Sequence, residues 1–172
     1  MKSVYYLRFR VAKVLNEANL ANVLICEADF NVAEQYSSIV KAAPGAGAIV
    51  FFVGLVRELY SLQDEAKVSH IELQHYAGMT ESLCGEIIDQ AHQRFDFEAA
   101  RIVHRVGKLA AGDQIVFVAV ASRHRDNAFQ AAQFIMDYLK TRATFWKKEV
   151  GDNGECWLGV KEVDKKACER WL

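Results

Sequence analysis

Apolar residues recur along the chain with two periods, and the switches between them predict its elements. NVLICEADF (22–30) reads as a strand. In residues 31–43, Val32, Tyr36, Ile39 and Val40 fall at helical spacing, with Asn31 placed to cap the helix and Pro44, Gly45 and Gly47 to stop it. GAIVFFVGLVREL (47–59) is almost continuously apolar and β-rich, which predicts a strand buried on both faces. YSLQDEAK follows as a polar loop, and VSHIELQHY (68–76) places Val68, Ile71 and Leu73 as the inner positions of a half-buried strand.

Gly78 and Thr80 open a predicted helix over 80–95, with Leu83, Ile87, Ile88, Ala91 and Phe95 as its apolar stripe. Residues 100–109 and 113–122 read as two strands of a hairpin turning at Ala-Gly-Asp. After the polar RHRDN (123–127), a helix over 128–143 would bury Phe129, Ala132, Ile135, Met136 and Leu139. Thr144, Phe145 and Trp146 favour extended structure, so that helix should end near Ala143 and place Lys147 on the next strand. GDNG (151–154) then turns into a last strand containing CWLGVKEV. This order predicts an α+β fold, a largely antiparallel β-sheet with helices packed on it. Residues 21–172 would form one domain and residues 1–20 an N-terminal extension of mixed signals.

A chain of 172 residues that is 52% hydrophobic and 25% charged can bury an ordinary core as a single domain. Its 21 basic and 22 acidic side chains argue against a general polyanion binder, so any anion site must be local. Neither nucleic acid nor a membrane is an expected partner: no apolar run approaches the ~18–20 residues a bilayer requires. Arg8, Arg10 and Lys13 interrupt the N-terminus where a signal peptide would be apolar, and the expected location is cytoplasmic. Four cysteines without a CxxC pair read as free thiols, Cys26 and Cys84 as small core residues. The five histidines show no metal-ligand spacing, so no metal site is expected.

Three places could carry chemistry. In RHRD (123–126), cationic side chains stand beside the unpaired N–H groups of a helix start, a setting for phosphate or carboxylate. A solvated loop with Asp126 as the cap would look the same. Arg57 ends the apolar strand, either at the surface, paired with Glu58 or Glu72, or facing an anion; Gly54 before it permits a bulge or close backbone approach. DYLKTRATFWKKEV (137–150) gathers Lys140, Arg142, Lys147 and Lys148 around Ala143, Phe145 and Trp146. A solvated helix end, a nucleic-acid patch and an anion-handling site all fit that composition. Apolar walls beside an ammonium would lower its pKa toward the range of general acid–base work.

Several stretches together resemble the large, catalytic subunit of molybdopterin synthase: GAIVFFVGLVRE (47–58), LQHYAGMTESL (73–83), RIVHRVGKLAAGDQIVFVAVASRHRDNAF (101–129), QFIMDYLKTRATFWKKE (133–149) and Trp157. The likeness runs from about Val23 to Asp164 and leaves out the first twenty residues. It implies an α/β-hammerhead-like arrangement and a sulfur-transfer enzyme. The sulfur would come from the C-terminal thiocarboxylate of a small ubiquitin-like partner and pass to a cyclic pterin monophosphate, forming a dithiolene. No cofactor is implied, since the pterin is the substrate.

The resemblance also implies a central homodimer with a small subunit at each end, part of each pocket being supplied across the dimer. It implies two catalytic lysines: Lys140, which would meet the thiocarboxylate tail and assist proton transfer, and Lys147, near the substrate. Arg57, His124 and Arg125 would bind the pterin phosphate and its surroundings, and Arg142 would support the tail or the lysines. Lys148 is left as a solvent-facing neighbour. Departures from the family pattern are Leu55 for a common lysine, Thr144 for proline, Gln74 for glutamate and Ala77 for proline. A paralogue that binds the carrier tail without turnover is the alternative reading.

Overall fold

The computed structural model describes residues 22–57, 68–152 and 154–172. The expected extension over 1–20, Glu58 and the whole YSLQDEAK loop lie outside the described residues.

Their elements run β1 (Val23–Cys26), α1 (Val32–Ala42), β2 (Ala48–Leu55), β3 (Val68–His75), α2 (Met79–His92), β4 (Ala99–Arg105), β5 (Gly107–Leu109), β6 (Gln114–Ser122), α3 (Arg125–Arg142), β7 (Phe145–Gly151), β8 (Gly154–Leu158) and α4 (Glu162–Glu169). The α+β class holds. In place of one sheet there are two of four strands, ordered β1-β4-β6-β2 and β5-β3-β7-β8. All pairings are antiparallel except β1 with β4.

The stretch 100–109 is therefore not one strand. Its first part pairs with β6 in the first sheet. After Val106, Gly107 takes φ +80°, a left-handed value that favours glycine, and the chain crosses into the second sheet as β5 against β3. The turn at residues 110–113 thus links two sheets and is not a simple hairpin.

The first sheet is covered on both faces. Helices α2 and α3 bury Ile87, Ile88, Ala91, Ala131, Phe134, Ile135 and Leu139 against Ile102, Val118 and Val120. On the opposite face Phe30, Ile39 and Ala43 pack on Val103, Phe117 and Ala119. Asn31 caps α1 as expected, its Oδ1 accepting from the N–H groups of Ala33 at 2.9 Å and Glu34 at 3.3 Å. A smaller cluster of Val56, Ile71, Leu73, Val106 and Leu109 fills the seam toward the second sheet.

Three burial expectations are corrected. Strand β2 is an edge strand whose Phe51, Phe52 and Leu55 are exposed, so its continuous apolar run is an uncovered edge and not a central strand. Phe129 is 61% exposed, because the buried stripe of α3 follows Ala128, Ala131, Ala132, Ile135 and Leu139, about 100° around the helix from it. Cys84 is fully buried, but Cys26 is only partly so. Helix α4 was not foreseen. It buries no residue fully, and polar contacts hold it to α3: Arg170 lies 3.6 Å from Asp137, whose Oδ2 also accepts from the Trp171 indole N–H at 2.9 Å.

Candidate active site

The end of α3 and the start of β7 present Lys140 and Lys147 on different elements. Helix α3 stops at Arg142, with Ala143 in an extended conformation, and β7 begins at Phe145, so the expected break falls where the residues 144–146 called for it. Side chains alternate along β7. Lys147 therefore shares a face with Phe145, whose ring stacks on His104 at 3.8 Å with planes 14° apart. Lys148 points to the other face.

Lys147 is half-buried, and burial is the main reason its pKa is lowered from the ordinary lysine value. Glu149 opposes the shift, while the positive charges of Lys161, Arg57 and Lys140 add to it. Lys147 thus feels both Lys140 and Arg57 through space. Lys161, just before α4, joins them and is a cation that the sequence reading missed. Its only signal was position, four residues after Trp157. Lys140 is mostly exposed and lies 3.4 Å from Asp164 of α4.

Arg57 is held by its neighbour. Val56 donates its N–H to the Asp113 carbonyl at 2.9 Å and accepts from Gly112 N–H at 2.8 Å, which ties the end of β2 to the 110–113 turn. The register of β2 shifts between Gly54 and Leu55, giving the bulge that Gly54 suggested. A Cβ at Gly54 would lie 2.7 Å from Val116 Cγ1, so the close approach is present too.

The other expected site residues stand apart from these lysines within one chain. His124 occupies the N-cap position of α3 and Arg125 its first turn; both are exposed, and Arg125 lies 3.8 Å from Asp126. Asp126 is inside the helix and is not its cap. The fifteen residues from Arg125 to Lys140 put ~22 Å between the two ends of α3. The PGAG loop and Glu98 fix that far end: Gly47 packs where a Cβ would meet the Arg123 carbonyl at 2.6 Å, and Glu98 lies 3.6 Å from Arg123 while accepting from Gly45 N–H at 3.2 Å.

Arg142 is directed at α2. It donates to Gln90 Oε1 at 2.7 Å and lies 5.2 Å over the Tyr138 ring. Lys148 is not a solvent-facing bystander: it is buried, 3.0 Å from both Glu72 and Glu155, and 5.5 Å over the Trp157 ring. His104 is buried, donates from Nδ1 to the Arg105 carbonyl at 2.8 Å, and has its pKa pushed down to about 4, chiefly by burial. Arg105 itself turns to Asp29 at 3.4 Å and the Gln114 carbonyl at 3.0 Å. Among the described residues no group of three His, Cys, Asp or Glu could hold a metal, and no helix is long and apolar enough to cross a membrane.

Fold and side-chain placement together define an α+β protein that gathers lysine and arginine side chains around a helix-to-strand junction. A family profile described as MoaE protein matches residues 25–142. A molybdopterin synthase catalytic subunit of Ralstonia nicotianae is 45% identical over 152 residues, covering 88% of this chain and 85% of its own. Among solved structures, the molybdopterin biosynthesis MoaE protein of Burkholderia ambifaria superimposes with a TM-score of 0.74 at 40% identity, covering 87% of this chain and 97% of that one. Molybdopterin synthase of Staphylococcus aureus gives 0.71 at 31% identity, covering 79% and 96%. The chain belongs to the family of molybdopterin synthase catalytic subunits and is an enzyme.

Proposed function

We propose that this chain transfers sulfur from the C-terminal thiocarboxylate of a small ubiquitin-like partner to a cyclic pterin monophosphate, forming the dithiolene of molybdopterin. The observation that carries the reading is Lys147, half-buried and under the combined positive charge of Lys140, Arg57 and Lys161. Such a cluster of cations attracts two anions, a substrate phosphate and a thiocarboxylate tail, and lowers the cost of holding them side by side. Lys147, with its pKa depressed, is suited to accept or return a proton during transfer. Lys140, exposed at the end of α3, is suited to meet the incoming tail.

His124 and Arg125 enter this scheme only through a second copy of the chain, because α3 separates them from its own lysines. The exposed Phe51, Phe52 and Leu55 on the β2 edge support such a homodimer, since an uncovered apolar edge strand is a ready surface for self-association. A heterotetramer with one small subunit at each end follows from that arrangement.

The test is turnover of the pterin precursor by the purified chain with a thiocarboxylated carrier. Lys140→Ala and Lys147→Ala should each remove most of the dithiolene product while leaving the fold intact. Full activity in both variants would overturn the site assignment. Tight binding of the carrier by the native chain without any product would instead favour a non-catalytic paralogue, the reading that exposed Leu55 in place of a common lysine suggests.

A further inference from the structure

Lys140 and Lys147 sit on separate elements, and the chain between them is a six-residue bridge from helix to strand. What holds that bridge decides how far apart the two ammonium groups lie. Thr144 stands at its turning point, between the Ala143 cap of α3 and the first residue of β7. Phe145 N–H reaches back to the Ala143 carbonyl at 2.9 Å, so the backbone turns sharply there.

One side of the junction is pinned by the stack of Phe145 on His104. The other is pinned by Thr80, in the first turn of α2, which is completely buried. Its Oγ1 accepts from Tyr76 N–H at 3.2 Å and lies 2.9 Å from Thr144 Oγ1 and 3.3 Å from the Thr144 carbonyl. A hydroxyl has one proton and two lone pairs. With Tyr76 N–H occupying a lone pair, the proton of Thr80 is available to Thr144. The start of α2 is itself fixed, since Glu81 accepts from Gly78 N–H at 2.6 Å and Thr80 N–H reaches the Tyr76 carbonyl at 2.9 Å. The link therefore runs from a rigid helix start to the middle of the connection between the lysines.

We propose that Thr80 is a positioning residue for catalysis: its hydroxyl, bonded to Thr144, fixes the α3–β7 junction and so sets the spacing and orientation of Lys140 and Lys147. Neither threonine touches substrate in this scheme. A displacement of ~1 Å between catalytic groups can cost on the order of a hundredfold in rate, so a single buried hydrogen bond at the junction is enough to matter. The catalytic consequence rests on the sulfur-transfer reading above; the geometric consequence does not.

The experiment compares Thr80→Val, which keeps the shape and removes the hydroxyl, with Thr80→Ser, which restores it, and with Thr144→Val. Two readouts are taken on the full chain. The first is steady-state sulfur transfer with the thiocarboxylated carrier. The second needs no turnover: the pH dependence of Lys147 acylation by a succinimidyl ester, followed by peptide mass spectrometry.

For Thr80→Val the expected result is a fall in kcat of roughly tenfold or more, with KM within about twofold. The Lys147 reaction midpoint should move up toward that of an ordinary lysine, as the loosened junction admits water. Thr80→Ser should behave as native, and adding Thr144→Val to Thr80→Val should do little more, because Thr80→Val already removes both contacts between the two residues. Thr144→Val alone removes the Oγ1–Oγ1 contact and leaves the Thr80 hydroxyl its bond to the Thr144 carbonyl, so it should move the Lys147 midpoint in the same direction by a smaller amount, and it decides the matter if Thr80→Val does not fold. A folded Thr80→Val with native kcat and native Lys147 midpoint would overturn the proposal, as would an unmoved midpoint in Thr144→Val. If the native chain shows no turnover, the sulfur-transfer reading fails, and the acylation midpoints still decide whether Thr80 positions Lys147.

Discussion

His104 links stability to pH in a way that the structure makes quantitative. Its ring is buried beneath Phe145, its pKa is pushed from 6.5 down to about 4, and burial is the main cause. Hydrogen bonding to the Arg105 carbonyl works against the shift, and His75 on β3, itself 3.7 Å from Glu81, adds to it. Between pH 6.5 and 4 the unfolded chain therefore binds a proton at this position that the folded chain refuses. Unfolding is favoured as pH falls through that window, and stability returns as it rises. The interval from 6.5 to about 4 corresponds to about 3 kcal/mol, of which about 2 kcal/mol is already expressed at pH 5. His104→Asn removes the titration and keeps a donor for the Arg105 carbonyl. Urea unfolding of both proteins at pH 7 and pH 5 should show the native chain losing about 2 kcal/mol more than the variant over that interval. Equal losses would show that His104 is not held neutral by the fold and would refute the argument.

Lys148→Ala should lower the thermal midpoint at pH 7, because Glu72 and Glu155 would be left facing one another without their cation. Glu72 is held below its usual 4.5 by Lys148, and Lys148 is held above its usual 10.5 by Glu155 and Glu72. The deficit should thus be full between about pH 4.5 and 10.5 and fade as Glu72 takes up its proton below that window or Lys148 loses its own above it; a deficit unchanged at pH 2 would contradict the pairing. Phe134→Ala empties a site walled by Phe95, Tyr138 and Trp171, and should cost about 3–5 kcal/mol in urea unfolding. Phe52→Glu on the β2 edge should leave the monomer folded and abolish self-association in light scattering, whereas a dimer of unchanged mass would place the interface elsewhere.

Local pattern revealed most of the elements and little of their pairing. Asn31, Pro44, Gly54 and the β-favouring 144–146 each announce a cap, a stop, a bulge or a break, because each acts through its own backbone. The division into two sheets was not legible. It depends on Gly107 turning β5 toward β3, a partner more than thirty residues earlier in the chain. The edge position of β2 was hidden for a similar reason, since an apolar strand reads alike whether its second neighbour is another strand or another molecule. At the site, the lysine pair came from the FWK and YLKTR contexts and the resemblance they carry. Lys161 lacked any such context, and α4 escaped because polar contacts hold it in place of a buried stripe.

The two lysines sit in different surroundings because the fold carries them on different elements. Lys140 extends from a helix end, where the C-terminal dipole favours a cation, and Asp164 stands 3.4 Å from it. Lys147 lies on a strand, where burial disfavours charge more than the nearby Glu149 carboxylate favours it, and the positive charges of Lys161, Arg57 and Lys140 add to the effect of burial. Had both lysines been carried one turn apart on α3, they would have shared one solvent environment and one dipole. The break at Ala143 and the reversal through Thr144 instead leave Lys140 at a helix end and Lys147 on a half-buried strand, within a single stretch of sequence.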